Sequence, residues 1–61
     1  MKKYNVYIKE IKTGKIIETI GKDMSEERAE KRELSGIMRI DRNNYFVSVE
    51  KVKEYYTKNN V

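Results

Sequence analysis

Two stretches of alternating apolar and polar residues flank a single clear helix start, and that arrangement leaves few folds open. The start is Gly21-Lys22-Asp23-Met24-Ser25-Glu26-Glu27. Ser25 is a favourable N-cap because its hydroxyl can accept from a free N–H of the first turn. Glu26 and Glu27 sit where the helix dipole stabilises negative charge, and Met24 with Ala29 has the spacing of a hydrophobic staple. Upstream, Tyr4 to Ile11 repeats with the period of two that marks a strand. Lys12-Thr13-Gly14 follows as a hairpin turn, with Gly14 placed to take a left-handed backbone, and a second strand runs from Lys15 to about Ile20. Downstream, Asp41-Arg42-Asn43-Asn44 reads as a turn and Tyr45 to Val49 alternates again, extending towards Val52. Residues 54–61 read either as a frayed end or as a short helix.

The expected architecture is a single α+β domain over residues 1–61, strand-strand-helix-strand. After a hairpin and a returning helix, the third strand lies antiparallel to the first. The simplest result is a three-stranded antiparallel sheet of order 2-1-3 with the helix crossing one face. With Gly14 closing the turn, Ile8 falls opposite Glu18 and Val6 opposite Ile20. Tyr4, Val6, Ile8, Ile16 and Ile20 then share one face, and Tyr7, Ile11 and Ile17 the other. The helix is expected from residue 26 to about 35, stopped by Gly36, with Leu34, Ile37 and Met38 on its core side and Glu27 and Lys31 paired across one turn.

Composition narrows the chemistry. The chain has neither His nor Cys, so the commonest proton shuttle, a thiolate nucleophile, disulfide staples and the usual zinc ligands are all lacking. Gly14, Gly21 and Gly36 are too scattered for a phosphate-binding loop. The expectation is a non-enzymatic protein with no metal and no cofactor. Lys9 and Glu10 interrupt the N-terminal run before it could serve as a signal peptide, and no apolar stretch is long enough to span a membrane; a cytoplasmic protein is expected. A chain of 61 residues that is 38% hydrophobic and 39% charged has little material for a core, so support from a second chain is expected.

Two surfaces are candidates for function. The first is the sheet face that one helix cannot cover, where Tyr7, Ile17 and Phe46 lie, with Tyr55 and Tyr56 beside them. It is read as a site for another protein or for a homodimer. The second is basic. Five acids against three bases between Asp23 and Leu34 leave that segment at −2, so the rest of this +4 chain carries +6. Lys9, Lys12, Lys15, Arg39, Arg42, Lys51 and Lys53, interleaved with aromatic residues, are the alternative reading: contacts for single-stranded DNA or RNA.

The stretch Lys22 to Val49, KDMSEERAEKRELSGIMRIDRNNYFVSV, following a TGK hairpin, resembles small phage- and prophage-encoded proteins of Gram-positive bacteria. The resemblance spans nearly the whole chain and rests on a helix cap, a glycine stop and an aromatic strand. It carries over no functional residue. It implies a class: proteins without catalytic residues that bind a host enzyme or a defence protein inside the bacterial cell and block it.

Overall fold

The computed structural model describes residues 2–52. Strand β1 (Tyr4–Glu10) pairs with β2 (Ile16–Met24), helix α1 (Glu26–Arg39) follows, and β3 (Tyr45–Lys51) returns to the free side of β1. Both pairings are antiparallel and the sheet order is β2-β1-β3. This is the α+β architecture expected from the sequence. Among the described residues no helix is long and apolar enough to cross a membrane.

The local signals act where the sequence places them. Gly14 closes the β1–β2 hairpin at φ 74°, its N–H donating to the Glu10 carbonyl at 2.7 Å. The Ser25 hydroxyl caps α1 by accepting from the Arg28 N–H at 3.3 Å. Asp41 organises the α1–β3 turn, its carboxylate accepting from the Asn43 N–H at 3.0 Å and from the Asn44 amide at 2.7 Å. Ile11 N–H then donates to the Asn44 carbonyl at 2.9 Å, so the hairpin loop and the α1–β3 turn meet at one end of the sheet.

Strand β2 departs from the expected course. Ile8 does face Glu18, but Val6 faces Gly21 rather than Ile20, and the pairing slips at three places. The strand also continues four residues past Ile20, to Met24. The last slip contains Asp23, whose backbone turns left-handed at φ 54°. Its N–H, turned out of the ladder, donates to the Asn5 side-chain oxygen at 2.9 Å. An asparagine on the central strand thus supplies the acceptor that the bulge removes from the backbone. These slips also move Ile16 off the helix-covered face, where it was expected; it stands opposite Lys9 and is exposed.

The helix corrects two further expectations. Gly36 does not stop it: α1 continues to Arg39, and Ile40 caps the end with its N–H on the Gly36 carbonyl. Gly36 is buried because there the helix lies closest to the sheet; a Cβ would sit 2.8 Å from Ile20 Cδ1 and 3.1 Å from Val47 Cγ2. Leu34 and Met38 do not face the core, being 62% and 84% exposed. The inward line is instead Ala29, Glu33, Gly36, Ile37 and Ile40, at helical spacing and small at its two most buried positions. Among the described residues the buried apolar ones are Val6, Ile8 and Ala29, a thin core.

Candidate binding surfaces

The face of the sheet that α1 leaves open is built from three rows. The central row is Asn5, Tyr7 and Lys9 of β1; opposite them on β3 stand Glu50, Ser48 and Phe46. On β2, Thr19 stands opposite Tyr7 and Ile16 opposite Lys9. The middle of this face is polar and ordered. The Asn5 amide donates to the Tyr7 hydroxyl at 2.9 Å, and the Lys9 ammonium lies 5.9 Å from the centre of the Tyr7 ring. Lys9 forms an ion pair with Glu50, whose carboxylate also accepts from the Ser48 hydroxyl at 2.9 Å. These two donors, Lys9 first, hold the Glu50 carboxyl below its ordinary titration range, against a small opposing effect of burial.

The apolar residues gather at one end. Phe46 and Ile16 flank Lys9 from the two outer strands; Ile17 follows Ile16, and Ile11 stands at the mouth of the hairpin, just past the end of β1. Ile16 and Ile17 are 51% and 54% exposed and Phe46 is 40% exposed. Lys12 and Lys15 lie on the hairpin loop, and Arg42 on the turn bonded to it, so the apolar end carries basic positions on the two loops beside it.

The residues expected to act together are therefore partly brought together. Ile17 and Phe46 belong to the exposed apolar end, whereas Tyr7 is half-buried and fastened in the polar row. Of the cations, Lys12, Lys15 and Arg42 share the hairpin end, with Arg39 in the last turn of α1. Lys9 is paired with Glu50, and Lys51 lies at the opposite end of the sheet, facing Tyr4. Lys53, Tyr55 and Tyr56 lie outside the described residues.

A further surface lies on the helix. Arg28, Lys31, Arg32 and Ser35 line one groove with Met24, about 370 Å³ in volume. Their i, i+3, i+4, i+7 spacing is readable within the helix expected from sequence, but the segment's net negative charge conceals it. Glu27 and Lys31, expected to pair across a turn, do not; among the described residues the one ion pair is Lys9 with Glu50. No family model, no curated protein and no solved structure matches the chain.

Proposed function

We propose that this chain is a small non-enzymatic protein-binding module whose contact surface is the hairpin end of the open sheet face. The observation that carries the reading is the exposed apolar group of Ile16, Ile17 and Phe46, with Lys12, Lys15 and Arg42 on the adjoining loops. An apolar centre with a charged rim has the composition of a protein contact. The thin core supports the same reading, because a domain that buries so little gains from a partner covering its remaining apolar surface. In a two-fold pairing of this end the basic positions would meet their own copies. A distinct partner with an acidic rim is therefore favoured over the homodimer that chain length suggests. Occupation of a host or defence protein's surface is the use that the phage-protein resemblance implies.

Sedimentation and lysate capture test this together. Ile16→Lys with Phe46→Lys, both at exposed positions, is expected to leave the circular dichroism spectrum unchanged and to abolish retention of whatever the wild type retains. Leu34→Lys with Met38→Lys is expected to retain it. Equal retention by both double variants removes the hairpin end as the site. A wild-type mass of two chains that falls to one in the first variant assigns the surface to a homodimer instead.

A second reading is nucleic-acid contact through Lys12, Lys15, Arg39 and Arg42, favoured by their placement at one end of the molecule. Anisotropy of labelled single-stranded and duplex oligonucleotides at about 50 and 200 mM salt tests it. Micromolar binding at the lower salt, lost on Lys12→Glu with Lys15→Glu, is the expected signature. Absence of binding at the lower salt eliminates it.

A further inference from the structure

The charges of α1 are sorted by side, and the sorting works against the helix's own stability. Arg28 has Lys31 and Arg32 at i+3 and i+4, while Glu26 has Glu30 at i+4 and Glu30 has Glu33 at i+3. Like charges at these spacings repel by about 0.2–0.5 kcal/mol per pair, and alternation of sign would have turned each repulsion into an attraction. All four arginines of the chain lie on this basic flank or on the turn that follows: Arg28, Arg32, Arg39 and Arg42. Among the described residues none of them makes an ion pair. The helix dipole offsets the repulsion at Glu26 and Glu27 in the first turn; the crowding of Arg28, Lys31 and Arg32 has no such offset and points to something outside the chain.

The groove beside this flank suggests the kind of ligand. Met24 is the one half-buried residue of its lining: its sulfur occupies the space that Gly21, having no side chain, leaves open, 2.5 Å from where a Cβ on Gly21 would lie. The lining is mostly apolar, as the Met24 thioether and the aliphatic stems of Arg28, Lys31 and Arg32 allow, and the same residues bring it three positive charges. About 370 Å³ is room for one large apolar side chain. A phosphodiester backbone has nothing apolar to place there.

We infer that the Met24–Arg28–Lys31–Arg32–Ser35 groove docks an acidic amphipathic segment of a partner protein, inserting an apolar side chain against Met24 while its carboxylates meet Arg28, Lys31 and Arg32. Paired Arg–carboxylate contacts give such a site orientation as well as attraction. The groove lies along α1 and the far end of β2, away from the hairpin end, and shares no residue with the proposed contact there.

The test is anisotropy with three labelled probes: a short helical peptide bearing Leu at i, i+4 flanked by Glu, the same peptide with Leu replaced by Ser, and a DNA duplex. The Leu/Glu peptide is expected to bind most tightly. Its affinity is expected to fall by about tenfold or more in Arg28→Gln with Arg32→Gln, and measurably in Met24→Ser. Lys12→Gln with Lys15→Gln is expected to leave it unchanged. Gln is a good helix former, and circular dichroism checks that each variant is folded. Equal binding of the Leu and Ser peptides overturns the apolar anchor. Duplex binding as tight as the peptide's, unchanged binding by the arginine variant, or no saturable binding at about 50 mM salt overturns the site.

Discussion

Asn5 shows how much one side chain on the central strand can fix. Its oxygen accepts from Asp23 N–H and its amide donates to Tyr7, so it joins the β2 bulge to the polar row of the open face. Asn5→Ala is expected to destabilise the fold by about 1 kcal/mol, the usual size for lost hydrogen bonds whose partners water can partly reach. Asp23→Gly is expected to stabilise it by a few tenths to about 1 kcal/mol, since glycine tolerates a φ of 54° without steric cost. Chemical denaturation of the two variants beside the wild type reads both. Glu50 makes the sheet sensitive to acid. Its carboxyl titrates below the ordinary range when folded, so its contribution is fully present above about pH 5 and is lost as pH falls through the folded value. The stability difference between wild type and Glu50→Gln is therefore expected to be constant near neutrality and to shrink on acidification. A difference independent of pH would mean that the Lys9–Glu50 pair contributes nothing measurable.

At the scale of elements, the position of α1 over the sheet depends on Gly36. Gly36→Ala sets two effects against each other: alanine favours the helix by about 1 kcal/mol, while its methyl presses on Ile20 Cδ1, the mobile end of a side chain. A net change within about 1 kcal/mol is expected. Gly36→Val adds branches that the stiffer Val47, already 3.1 Å from the alanine carbon's position, cannot yield to. A loss of about 2 kcal/mol is expected, read as a lowered denaturation midpoint. The two turns and the N-cap were legible in sequence because Gly14, Ser25 and Asp41 each act on backbone groups within a few residues of themselves. The extent of β2 was not. Lys22 and Asp23 read as loop, and they extend the strand only because Asn5, eighteen positions away, completes the bulge.

At the scale of the molecule, stability is expected to rest on few residues. A domain of this size has about 3–9 kcal/mol to lose. Val6→Ala, at the centre of the core, is expected to cost about 2 kcal/mol, a large share of that total. Ile17→Ala, on exposed surface, is expected to cost less than about 0.5 kcal/mol. Comparable losses from the two would mean that Ile17 is covered in solution, as a partner copy would cover it.

What the sequence determined by itself is the order of elements, the hairpin turn at Gly14, the helix start at Ser25 and hence the sheet order β2-β1-β3, all consequences of signals that act over a few residues. The rotation of the helix was decided only in the tertiary structure. By apolarity alone Leu34 and Met38 belong inside; the sheet instead receives Ala29 and Gly36, and leaves the two larger residues in solvent. The physical reason is distance. Ile20 and Val47 rise from the sheet beneath the helix, and only a position without a side chain, Gly36, could approach them so closely. That one rotation also determines which flank of α1 presents Arg28, Lys31 and Arg32 beside Met24.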